Sequence, residues 1–228
     1  MSSPWLPRLL LGVAAVIVLA GVISLSVGEG GPKKIAIDGG AQTQQLIAGI
    51  PQDGAYLGPS DAPVTITVFN DLQCSGCDDY ELDTVNALIE EYARDREARL
   101  EFRHISLSEA ETTKAAYAAT AAGEQDRQWQ YVDLFFRNQD EAPASIVSDE
   151  FLEDVAGGIP NFDLDAWNEA RESPEVADQV VADAMLAADY RLRVEGPSVV
   201  VTGPDGTEVL QDSPSTQDVA AAVSAVGG

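Results

Sequence analysis

Two cysteines occur in the 228-residue chain, Cys74 and Cys77, with Ser75-Gly76 between them. Two thiols at this spacing can interconvert between a dithiol and a disulfide, and their position decides whether that chemistry is used. The apolar, β-branched run Val64-Thr65-Ile66-Thr67-Val68-Phe69 reads as a strand, and a helical pattern starts at about Cys77. A strand that delivers Cys-x-x-Cys to a helix N-terminus is the setting in which the spacing signals thiol–disulfide exchange. The helix end offers unpaired N–H groups and a partial positive charge, both of which favour a thiolate over a thiol. Cys74 would stand just ahead of the helix, exposed and activated, and Cys77 would lie in the first turn.

Three other uses of the pair compete. A structural zinc site needs four ligands, and beyond the two cysteines only His104 is available as a nitrogen ligand, so no metal is expected. A purely structural disulfide would close a very small loop, with much less entropic effect than the roughly 3 kcal/mol of a 15-residue loop. Two inert buried thiols would not require the strand-then-helix placement.

The elements that must position the pair follow from hydrophobic periodicity. After Cys77, apolar side chains recur at Tyr80, Val85, Leu88, Ile89 and Tyr92, giving a helix to about Arg94. Arg99–Ile105 alternates, with Leu100, Phe102 and His104 on one face, and reads as a second strand. A long helical block follows. Ser108-x-x-Glu111 is a capping box for a helix that should stop near Gly123, and Asp126–Asn138 carries Trp129, Val132, Phe135 and Phe136 on one core-facing stripe. Ser148 caps a helix ending at Gly157-Gly158, another covers Asp163–Arg171, and Ser173-Pro174 starts one that runs to about Tyr190. Val199–Thr202 and Thr207–Leu210 form a hairpin across Gly203-Pro204-Asp205-Gly206, and a last amphipathic helix covers about Ser215–Val226.

Ahead of all this, Leu9–Gly28 is twenty residues without a charge, long enough to span a bilayer and too long for an ordinary signal-peptide core. An uncleaved anchor is expected, with the bulk of the chain outside; Arg8 supports that orientation, while Lys33 and Lys34 blur the charge bias. Residues 29–53, with Gly-Gly pairs and polar Gln and Thr, read as a linker with a short strand at Ile35–Ile37. The formal charge is −25. Such a surface repels nucleic acid and anionic lipid head groups, so a DNA- or RNA-binding role is excluded. Only three lysines are present, at positions 33, 34 and 114, a composition that reads as a solvated acidic surface or an adaptation to high salt.

The stretches Leu57-Gly58-Pro59-Ser60-Asp61-Ala62-Pro63-Val64-Thr65-Ile66 and Phe69-Asn70-Asp71-Leu72-Gln73-Cys74-Ser75-Gly76-Cys77 resemble the membrane-associated, DsbA-like branch of the thioredoxin superfamily. The resemblance continues through Lys114–Ala119 and Trp129–Phe135 and returns at Val194-Glu195-Gly196-Pro197-Ser198-Val199-Val200-Val201, covering about residues 54–226. It implies an α/β thioredoxin fold with an inserted helical domain, preceded by the N-terminal transmembrane helix. The expected segments are an anchor at 1–28, a linker at 29–53, thioredoxin-fold parts at 54–107 and 191–228, and the helical insertion at 108–190. It implies that Cys74 exchanges with a substrate, that Cys77 resolves the mixed disulfide, and that Gly196, Pro197, Ser75 and Gly76 border the substrate. In the family the proline matching Pro197 is cis and faces the cysteine pair. Some relatives carry a buried acid six residues before the first cysteine; here that position is Val68. His104 is a candidate relay to Cys77, with ordinary strand packing as its other reading. Neither a metal nor an organic cofactor is implied. The expected partners are thiols of exported proteins and a membrane component that reoxidises the pair. A reductase or isomerase on the same fold, or a non-catalytic binding module, are the alternatives.

Overall fold

In a computed structural model, the described residues are 35–74, 76–105, 112–139, 147–193 and 196–227. The strand expected at 64–69 forms as β3 (Val64–Asn70), flanked by β4 (Ala98–His104) and β5 (Ser198–Gly203). β3 runs parallel to β4, with Asn70 opposite His104, and antiparallel to β5, with Phe69 opposite Ser198. The hairpin expected across Pro204-Asp205 adds β6 (Gly206–Leu210), which pairs antiparallel with β5 from Gly203↔Gly206. On the other side, β1 (Gln52–Asp53) and β2 (Tyr56–Leu57) form a short hairpin against β4, giving the sheet order β1-β2-β4-β3-β5-β6. These two-residue strands show no period in the sequence; Gly54, at φ 56°, makes the turn between them.

Cross-strand partners share a face, so the register sorts the sheet into two layers. Val68, Phe102 and Val199 join the main core with Val85, Leu88 and Ile89 of the helix that follows Cys77. On the opposite face, Phe69 and Val200 pack with Ala187 of a later helix. The helix after Cys77 is a chain of short pieces. α2 (Cys77–Asp79) passes into a π-helical stretch (Tyr80–Val85), then α3 (Asn86–Leu88), then a second π-helical stretch (Ile89–Ala93). Its end near Arg94 agrees with the sequence, but periodicity does not reveal the wider π turns.

Between β4 and β5 lie α4 (Thr112–Gly123), α5 (Gln128–Arg137), α6 (Asp149–Gly157), α7 (Leu164–Arg171) and α8 (Pro174–Asp189). α6 and α8 start with the caps read from the sequence: the Ser148 hydroxyl accepts from Phe151 N–H and that of Ser173 from Val176 N–H, each at 3.2 Å. The Trp129, Val132, Phe135 and Phe136 stripe is buried, as expected for core packing. The capping box at Ser108 and Glu111 lies outside the described residues. The chain ends in α9 (Thr216–Val226), which Ser215 and Asp218 open with a reciprocal capping box.

The stretch expected as a linker differs. From Ile35 onward it belongs to the folded unit, with α1 (Gly40–Ile47) burying Thr43, Leu46 and Ile47. No strand forms at Ile35–Ile37; instead Ile35 N–H bonds the Asp154 carboxylate at 2.6 Å and Asp38 N–H bonds Asn138 at 2.8 Å. The Thr43 hydroxyl donates to Asp133 on α5. Glycines and amides gave this stretch a linker-like composition, yet its few apolar and hydroxyl side chains meet prepared partners. The expected membrane helix at 9–28 lies outside the described residues, among which no helix is long and apolar enough to cross a membrane.

Candidate active site

At the C-terminal end of β3 the chain leaves the sheet at Asn70 and turns toward the cysteines. Asn70 Oδ1 accepts from Asp71 N–H at 2.9 Å, and Asp71 Oδ1 accepts from Gln73 N–H at 2.9 Å. Cys74 N–H bonds Asp71 O at 3.1 Å, so the turn is held by its own side chains and backbone. Gly76 then adopts φ 84° as the residue before α2. A left-handed conformation is disfavoured for residues with a Cβ, and here glycine supplies it.

Cys74 and Cys77 are joined in a disulfide with their Cα atoms 5.4 Å apart. Cys74 is half-buried, whereas Cys77 is 2% exposed and sits on the core side of the helix start. The two sulfurs are thus unequal in access, as their positions before and inside the first turn suggest. Asp78 and Asp79 fall in the first turn of α2, where carboxylates complement the helix dipole. Asp71 is buried and hydrogen-bonded to the turn backbone.

A clamp arrives from the helical insertion. Gln139, just beyond α5, donates from Nε2 to Leu72 O at 2.7 Å and to Cys74 O at 3.1 Å. No sequence rule links a glutamine to a turn 65 residues earlier. Glu81 was also missed. It is fully buried four residues after Cys77, with Oε2 accepting from Asn70 Nδ2 at 2.9 Å. Burial, reinforced by the nearby Asp133 charge, pushes its carboxyl up to about 8, against the lowering effect of the Asn70 bond. A signal existed: positions 77, 81, 85, 88, 89 and 92 form one helical face, and an acid stands among apolar side chains on it.

His104 lies opposite Asn70 on β4 and is 3% exposed. Burial pushes its imidazole down to about 4, and neither ring nitrogen has a hydrogen-bond partner among the described residues. It is neutral at ordinary pH. Val68 is buried beside Phe102, so the strand contributes no acid at that position.

The remaining candidates stand at the start of β5. Pro197 is buried and Gly196 half-buried; Pro197 O accepts from Ser213 N–H at 2.8 Å. Because Ser198 pairs with Phe69, this corner adjoins the end of β3 that leads to Cys74. The expected cis bond is not present: no cis peptide occurs among the described residues, and Gly196–Pro197 is trans. The trans isomer is the ordinary preference of X–Pro bonds by about 0.5–1 kcal/mol, and the bond from Ser213 to Pro197 O is made with the trans bond. Ser75 lies outside the described residues.

Comparison with known proteins agrees with this geometry. Residues 52–213 match the family model described as Thioredoxin. A probable disulfide bond formation protein D of Bacillus cereus is 28% identical over 151 residues, covering 64% of this chain and 69% of that protein. Among solved structures, oxidised BdbD from Bacillus subtilis superposes with a TM-score of 0.62 at 18% identity, over 77% of this chain and 95% of that one. The α-DsbA1 of Wolbachia pipientis gives 0.62 at 19% identity, over 80% and 94%. At such identities the structures establish the fold alone. Since the family match spans most of the chain, including both cysteines, this protein belongs to the thioredoxin family, with helices inserted between β4 and β5.

Proposed function

We propose that the chain is a protein thiol–disulfide oxidoreductase, anchored by its N-terminal apolar segment, that introduces disulfides into exported proteins outside the cytoplasmic membrane. The observation that carries the reading is the Cys74–Cys77 disulfide at a helix N-terminus, with Cys77 buried and Cys74 more accessible. In the proposed cycle a substrate thiolate attacks Cys74 Sγ, the Cys74–Cys77 bond breaks, and Cys77 leaves with the electron pair. The substrate's second thiolate then attacks its own sulfur in the mixed disulfide, releasing Cys74 as the thiolate. The substrate is oxidised by two electrons, and a membrane component reoxidises the pair.

Alkylation of the reduced protein near neutral pH should label Cys74 first, and Cys77→Ser should trap mixed disulfides with substrates. Equal labelling and no trapped species would overturn the assignment. The reduction potential in glutathione buffers separates an oxidant, above roughly −200 mV, from a structural disulfide, below about −300 mV. Gly196 and Pro197 are proposed to border the substrate beside Ser75 and Gly76, now on the support of strand register and without a cis bond. A Cβ at Gly196 would stand 3.2 Å from Ser213 Oγ, a contact that a hydroxyl rotation relieves. Gly196→Thr should therefore fold and narrow the range of peptides oxidised; an unchanged range would remove this residue from the site.

A further inference from the structure

Glu81 has no role in the exchange chemistry described so far, yet it is the carboxyl that the fold places one helical turn beyond the resolving cysteine. Cys77 and Glu81 are 2% and 1% exposed. Residues four apart lie on one face of a helix, and here that face is turned to the sheet. Across the interface, Asn70 fixes the carboxyl with its Nδ2 while its own Oδ1 is held by Asp71 N–H. The amide is thereby oriented at both ends, and Glu81 is tied to the residue where the cysteine turn begins.

Among the described residues, no positive charge acts on this carboxyl. On the sheet side, His104 shares the face of Asn70 through the β3–β4 register and is neutral. From α5 comes Asp133, whose charge opposes that of Glu81 and is itself neutralised by Arg137 at 2.7 Å. On the same helix the Tyr80 phenol stays protonated, pushed up by burial and by the Glu81 charge. A lone buried carboxylate is expensive, and a glutamine would keep the bond to Asn70 at much lower cost. Structural bonding alone does not call for an ionisable group here.

Exchange at the disulfide does call for one. When Cys74 is attacked, Cys77 departs as a thiolate in a site closed to water, and a buried anion of that kind is unstable without a proton. We propose that Glu81 is the proton donor and acceptor of Cys77. In the oxidising direction the Cys74–Cys77 bond breaks, the Cys77 thiolate takes the Glu81 carboxyl proton, and a thiol and a carboxylate remain. In reoxidation the Cys77 thiol returns the proton to the Glu81 carboxylate, and the thiolate attacks Cys74 Sγ in the mixed disulfide. Burial raises the carboxyl to about 8, into the range where thiols titrate, so a proton can pass between the two groups in either direction. The inference rests on the proposed redox role of the cysteine pair.

The test follows the full chain as its reduced form reacts with oxidised glutathione between pH 5 and 9.5, resolving attack by Cys74 from the later attack by Cys77. Glu81→Gln should slow the Cys77 step near pH 7 by about a hundredfold and remove its inflection near pH 8, leaving the Cys74 step unchanged. Exchange in the wild type with the same Cys77 profile in Glu81→Gln overturns this inference alone. A wild type that does not exchange overturns the proposed function, and this inference with it. Infrared difference spectra of the oxidised wild type guard against a variant that fails to fold. A protonated buried carboxyl should be present at pH 7 and lost on titration through about 8. A carboxylate already ionised at pH 6 contradicts the assignment.

Discussion

Gly76 shows how a single backbone angle constrains the chemistry of the pair. Its φ of 84° costs a residue with a Cβ about 1–2 kcal/mol, while the space around a Cβ built there is empty. Gly76→Ala should therefore lower unfolding stability by about 1 kcal/mol in urea melts, with no steric component. A full-size loss of 3 kcal/mol or more would point to a contact that the geometry lacks. The same angle limits what an imidazole between the cysteines can gain. Ser75→Pro with Gly76→His should raise the potential by about 30 mV for each 1.4 kcal/mol of thiolate stabilisation, with backbone strain set against it. The cysteines, their order of access and the helix start were legible because strand and helix periods meet at that point. The conformation of Gly76 was not, since Ser-Gly suits many turns.

At the level of elements, the insertion does more than cover the sheet. Through Gln139 it holds the backbone of Leu72 and Cys74. This grip is made on the disulfide-bonded loop, so Gln139→Leu should remove support from the oxidised form and raise the reduction potential, by about 20 mV for each 1 kcal/mol lost. An unchanged potential with a lower melting temperature would mean that the clamp serves both redox forms equally. Helices with serine caps and apolar stripes, and strands with β-branched runs, were visible in the sequence because their signals are local. The elements that escaped, α1, β1 and β2, are short, and their stability comes from distant partners: Asp133 for Thr43, and β4 for β2. The buried acid at position 81 was readable as a break in an apolar face, but its partner Asn70 was not, because sheet–helix contacts carry no fixed sequence spacing. The proline at 197 was placed correctly beside β3, and its isomer was misjudged because resemblance outweighed the ordinary trans preference.

For the whole molecule, two buried groups shape stability with opposite pH dependence. Glu81 is raised to about 8, so the folded state binds the extra proton between the ordinary glutamate range and pH 8, and stability falls as pH rises through that window. His104 is lowered to about 4, so the unfolded state binds the extra proton between pH 4 and 6.5, and stability falls as pH drops through that window. The histidine effect amounts to about 3 kcal/mol at its limit. Urea melts should show wild-type stability declining from pH 6.5 to 8, a decline that Glu81→Gln removes and His104 substitutions leave in place. Persistence of the slope in Glu81→Gln would assign it elsewhere. The attachment of Ile35 to Asp154 carries a consequence of another kind, one of reach. In the proposed anchored protein residues 29–34 separate the membrane segment from the folded unit, a tether of roughly 20 Å when fully extended, against roughly 90 Å had the chain been free to residue 53. A leash that short would give a membrane partner of the proposed anchored protein a high effective concentration. Lengthening it with a Gly-Ser segment after Lys34 should slow reoxidation in membranes several-fold while leaving the oxidation of soluble peptides unchanged; equal rates for both would mean that the tether sets no working distance.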